Sequence, residues 1–122
     1  GSVQRYRITV TNTAAGTVDA STLVVVDAVP QNAQLYVATS AGSPVQFVDG
    51  GVPSGLTFTY AGDVTYSNRP GGAAPFDYVP TPDANGFDAS VTALRVAPSG
   101  VLAGASGASQ PSFGIEFRVR VP

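Results

Sequence analysis

Five residue types are missing from this chain of 122: cysteine, histidine, lysine, methionine and tryptophan. Without cysteine there is no disulfide and no thiolate metal site. Without histidine, cysteine or lysine there is no ordinary neutral-pH general base, no thiol nucleophile, no Schiff-base amine and no Ser-His or Ser-Lys pair. The enzyme chemistry left open is a two-carboxylate hydrolase drawing on Asp49, Asp63, Asp83 or Asp88. One carboxyl of such a pair needs a pKa raised by burial, whereas turn aspartates are usually solvated. The chain is therefore expected not to be an enzyme. The absence of lysine also excludes internal Lys-Asn or Lys-Asp isopeptide cross-links. Asn12, Asn32, Asn68 and Asn85 all lack the hydroxyl two residues on that N-glycosylation requires.

Charge is scarce as well. Charged residues make up 11%, against about a quarter in an average soluble domain. Six arginines face seven aspartates and Glu116, and the net charge of −2 leaves no electrostatic footprint for nucleic acid or an anionic membrane. The longest aliphatic run, Leu23 to Val26, is far short of the roughly 20 apolar residues that span a bilayer, so no membrane insertion is expected.

What is present is a hydrophobic fraction of 43%, with 14 glycines and 10 prolines that cluster between short apolar segments. That length and composition suit one domain, residues 3–122, with Gly1-Ser2 reading as a cloning scar. With no methionine, the piece is expected to have been cut from a longer reading frame.

Period-two alternation dominates. In RYRITVTN, Tyr6, Ile8 and Val10 share one face and Arg5, Arg7, Thr9 and Thr11 the other. SFGIEFRVRV repeats the pattern, with Phe113, Ile115, Phe117, Val119 and Val121 on one side and Gly114, Glu116, Arg118 and Arg120 on the other. Further strands are expected near Thr22–Asp27, Gln34–Ala38, Val45–Val48, Leu56–Tyr60, Val64–Asn68, Phe76–Val79 and Val91–Ala97. Ala61-Gly62-Asp63 is expected to close a hairpin. The pattern predicts an all-β fold, an immunoglobulin-like β-sandwich of two antiparallel sheets with about 7–10 strands and little or no helix.

The first third carries a resemblance. Tyr6, Ile8, Val10 and Asn12 match Y-x-I-x-V-x-N, and Leu23, Val25, Asp27, Val29 and Pro30 follow the sense of V-x-V-x-D-x-L-P. This opening resembles a DUF11-type repeat, the immunoglobulin-like module found in arrays on bacterial surface and secreted proteins. The likeness covers Tyr6 to about Val37, with Val29 where leucine is usual and a longer turn at Ala14-Ala15-Gly16. It implies a building block of extended extracellular or cell-surface proteins, with no catalytic residues carried over. On residue chemistry alone, Asn12 and Asp27 are expected to cap the turns that follow them.

Two constellations could carry function. In PTPDANGFDAS, Asp83, Asn85 and Asp88 have the oxygen donors and the following glycine of a calcium loop, with Asp49 or Asp63 as a further donor, but no downstream bidentate glutamate. The same residues also suit a plain turn. Arg5, Arg7, Arg118 and Arg120 alternate outward on the two terminal strands and form a basic stripe if those strands are neighbours. The stripe could meet an acidic glycan or the carboxylates of a neighbouring domain; otherwise it is a solvated face screened by Glu116. Phe87 is the aromatic expected either to be exposed or to plug its loop onto the core. The expected function is a structural or adhesive module, monomeric, whose partners are neighbouring domains of its own polypeptide, surface glycans or other surface proteins. A glycan-binding module, with or without assistance from calcium, is the rival reading.

Overall fold

The computed structural model describes residues 2–122. Two long strands anchor it: β1 (Ser2–Thr11) and β10 (Ser112–Val121). They pair antiparallel over their whole length, from Ser2 opposite Val121 to Thr11 opposite Ser112. Their unbroken alternation explains the length. From Phe113 to Val119 every second residue of β10 (Phe113, Ile115, Phe117, Val119) is 3% exposed or less, so that face is removed from water up to Val121 at the strand's end. Each such side chain contributes about 1.5–3 kcal/mol relative to leaving it exposed.

Between them run β2 (Val25–Ala28), β3 (Gln34–Tyr36), β4 (Gln46–Asp49), β5 (Leu56–Thr57), β6 (Val64–Ser67), β7 (Phe87–Asp88), β8 (Ala93–Val96) and β9 (Ser99–Gly100). The large sheet has the order β1-β10-β3-β7, with β4 also on β10. A smaller sheet runs β2-β8-β6, and β5 pairs with β9. All pairings are antiparallel. The result is an all-β, sandwich-like fold, as expected. Its core brings Leu35, Phe113 and Ile115 of the large sheet together with Tyr66, Leu94 and Val96 of the smaller one. Phe58, Phe47 and Phe113 form a stack with ring centroids 5.6 and 5.2 Å apart. Among the described residues helix is limited to one turn, α1 (Tyr60–Asp63), and a 3-10 turn at Pro70–Gly72.

Strands β3 and β4 share the same side of β10. β4 accompanies β10 from Phe113 to Glu116, and β3 takes over at Val119 and Arg120. The excursion between them leaves Phe117 and Arg118 with no registered partner on that side.

Several expectations are corrected. The hairpin at Ala61-Gly62-Asp63 does not form: β5 pairs with β9, and α1 occupies the turn. The Asp63 N–H donates to the Thr59 carbonyl (2.9 Å), while the Asp63 carboxylate accepts the Thr59 N–H (2.8 Å), so the segment closes on itself as a helical turn. Phe76–Val79 makes a single bridge, Tyr78 opposite Tyr66, between Pro75 and Pro80, which offer no backbone donor. Asn12 does cap its turn: its Oδ1 accepts the Ala14 N–H (3.0 Å), and its amide donates to the Gly16 and Ala103 carbonyls. The turn after Asp27 is closed by its own backbone instead, Ala33 N–H to Pro30 carbonyl (3.1 Å). Asp27 sits half-buried in β2 opposite Leu94, and that burial raises its pKa.

Candidate functional site

The pairing of β1 with β10 puts Arg5 directly opposite Arg118 and Arg7 opposite Glu116. Cross-strand partners share a face, so the expected basic stripe forms on the outer face of the large sheet. Arg7 reaches Glu116 at 3.6 Å and lies across Gly114, where a Cβ would come within 2.8 Å of its Nε. Glycine at 114 thus makes room for the guanidinium and breaks the strand's exposed-buried rhythm.

The stripe is tied to aromatic rings the sequence reading did not connect to it. Arg118 lies over the Tyr36 ring at 4.0 Å, and Arg120 over the Phe87 ring at 4.4 Å. Tyr36 and Phe87 meet edge to face at 5.3 Å. Phe87 is 7% exposed, so it plugs its loop onto the sheet rather than facing water, but does so on the outer face beneath Arg120. Gln34 completes the arrangement by accepting from Arg120 Nε at 2.9 Å. The signal for these partners was present in Gln34-Leu35-Tyr36: with Leu35 inward, its two neighbours must point outward, where β10 places its arginines.

The aspartate loop joins the same surface. Asp83 Oδ1 accepts the N–H groups of Asn85 (2.8 Å) and Phe87 (3.0 Å), and Oδ2 accepts from Arg120 Nη2 at 2.7 Å. The Asp83 N–H donates to the Phe87 carbonyl (2.8 Å) and the Gly86 N–H to the Asp83 carbonyl (3.0 Å). This is a turn with glycine at its bulge position, φ 92°. The Phe87 N–H, then Arg120, then the Asn85 N–H hold the Asp83 carboxyl down at about 2. Asp88, the next residue after Phe87, points to the opposite face and is 5% exposed. It accepts from the Tyr78 hydroxyl and from the Thr81 and Ser90 N–H groups, each at 2.8 Å.

The residues considered for calcium are therefore not gathered around one point. Among the described residues no three of histidine, cysteine, aspartate and glutamate come together as a metal site. Asp49 accepts from the Ser54 N–H (3.0 Å) and hydroxyl (2.6 Å), and Asp63 from Thr59 as above. Donors surround these carboxylates, which is the environment of an anion already satisfied by the fold. A cation at Asp83 would have to displace Arg120.

A cleft of about 150 Å³ opens on the same face, with Arg5, Ser43, Gln46, Glu116, Phe117 and Arg118 among its lining residues. It lies at the gap between β3 and β4. No helix among the described residues is long and apolar enough to cross a membrane. Comparison with protein-family models, with curated proteins and with solved structures finds no match.

Proposed function

We propose that the chain is a non-catalytic structural or adhesive module of a bacterial cell-surface or secreted protein, a relative of the DUF11-type repeats its opening resembles. One observation carries the reading: Asp49, Asp63, Asp83 and Asp88, the carboxylates available for chemistry, each accept a backbone N–H from their own turn. Carboxylates used this way hold loops in place, and the histidine, cysteine and lysine that would act beside them as base or nucleophile are missing from the sequence. The outer face supports a role in contact with other polypeptides, because it is polar, cationic and braced. Because Ser2 is paired with Val121, flanking chain on either side would meet the module at the same end. The body then projects from that point, an arrangement suited to presentation more than to end-to-end spacing.

The glycan-binding alternative needs an open aromatic face or a cation. The outer-face rings of Tyr36 and Phe87 already carry guanidinium groups. The two readings separate in one experiment: thermal unfolding in chelator and again in about millimolar calcium, the range in which extracellular modules bind it, with a glycan panel probed in both buffers. The module reading expects an unchanged midpoint and no saturable glycan signal. A midpoint several degrees higher in calcium, lost in Asn85→Ala, would promote the calcium-assisted reading, since a ligand that binds only the folded state must stabilise it. Asn85 is the variant of choice because its role in the turn is played by its backbone N–H.

A further inference from the structure

Of the six arginines, Arg95 sits apart in β8 of the smaller sheet, opposite Val26 and Thr65, with no carboxylate within ion-pair distance among the described residues. The other five fall into two kinds. Arg7, Arg69 and Arg120 each face a carboxylate, at 3.6, 3.8 and 2.7 Å. Arg5 and Arg118 stand directly opposite one another across β1 and β10, and among the described residues neither has a carboxylate within ion-pair distance. Like charges placed directly opposite destabilise a strand pair. Here the pair lines a cleft on this face, beside Gln46 and Ser43.

Arg118 is also positioned in advance. Its guanidinium lies 4.0 Å above the Tyr36 ring, so much of the side-chain freedom a ligand would otherwise have to freeze is already lost. The planar fork of such a group matches the two oxygens of a carboxylate. Glu116 also lines the cleft but pairs with Arg7 at 3.6 Å, and Arg5 and Arg118 outnumber it, so the cleft carries an excess of positive charge in a chain whose net charge is −2.

Size selects the source of the anion. The cleft holds about 150 Å³, half the ~300 Å³ at which sites for whole small molecules begin. It suits a carboxylate on one or two methylenes better than a sugar ring. Phe117, the aromatic in the lining, is 3% exposed, and the outer-face ring of Tyr36 is covered by Arg118 itself. We propose that the cleft between β3 and β4 binds an aspartate or glutamate side chain of another polypeptide, gripped by Arg5 and Arg118. This rests on the reading of the chain as a module that meets other polypeptides.

The test is a nuclear magnetic resonance titration of the whole chain with N-acetyl-glutamate amide, following the arginine Nε–Hε signals. The expected result is saturable movement of Arg5 and Arg118, absent with the glutamine counterpart. Arg118→Gln should weaken it about tenfold or more, as loss of one charged hydrogen-bond partner does. Arg5→Gln is the second variant should the first not fold. Uniform, non-saturating movement of all the arginines would overturn the site. Equal binding of glucuronate would overturn the assignment to a polypeptide. Either failure, with melting unaffected by calcium and no glycan-panel signal, strikes the cleft alone and leaves the module reading in place.

Discussion

The Asp83 carboxyl is held at about 2, against an ordinary 3.8, by the Phe87 N–H first, then by Arg120 and the Asn85 N–H. A carboxyl whose folded-state pKa lies below its unfolded one stabilises the fold above the unfolded value and loses that contribution as pH falls through the folded value. The loss should therefore run from about pH 4 to about pH 2. Asp83→Asn keeps an oxygen for the two N–H groups but gives Arg120 no charge. Urea midpoints measured against pH should show the parent above the variant at neutral pH, with the gap closing between pH 4 and 2. A gap that persists unchanged at pH 2 would mean that the charge is not what matters. At this scale the sequence was half legible. The spacing of Asp83, Asn85, Gly86 and Asp88 favoured a turn over a metal loop but supplied donors for both, and the deciding partner, Arg120, lies 37 residues away. Only strand register places that guanidinium on the loop.

The short elements depend on single backbone positions. Gly86 has φ 92°, and a Cβ there would stand 2.5 Å from the Tyr36 ring. Gly86→Ala should therefore cost about 1–3 kcal/mol through backbone strain, with further loss from displaced packing between Tyr36 and Phe87. It would be read as a lower denaturant midpoint with the slope unchanged. A neutral outcome would show that β7 is not held by this turn. Legibility of the elements followed their length. β10 was read at its true bounds because ten residues of alternation leave one register that buries the apolar face. β7 and β9 have two residues each, too few for any period. The misread hairpin had suitable residues, but Asp63 offered Thr59 a carboxylate and an amide at one helical turn's distance, and local closure won.

For the whole molecule, the register of β1 on β10 has a mechanical consequence. Ser2 and Val121 are cross-strand partners, so a force applied between them pulls the two strands apart from one end. Hydrogen bonds in an antiparallel pair run perpendicular to the strands, and in this geometry they are loaded one rung at a time. Attachment at Ser2 and at Ser112, the far end of β10, would instead pull along the strands and load all ten registered pairs together. Single-molecule extension through Ser2 and Val121 should therefore open the protein at clearly lower force than extension through Ser2 and Ser112. Once β1 leaves, the half-buried Ile8 and Val10 are withdrawn from the core and Tyr6 from its stack on Phe117 at 5.7 Å, so the rest of the sandwich should follow in the same event. Equal forces in the two geometries would mean that another contact, not the β1–β10 ladder, bears the load. A ladder in this register gives way at its base when its two ends are drawn apart, whereas a load applied to the outer face at Arg5 and Arg118 would enter it across both strands and would not begin at that base.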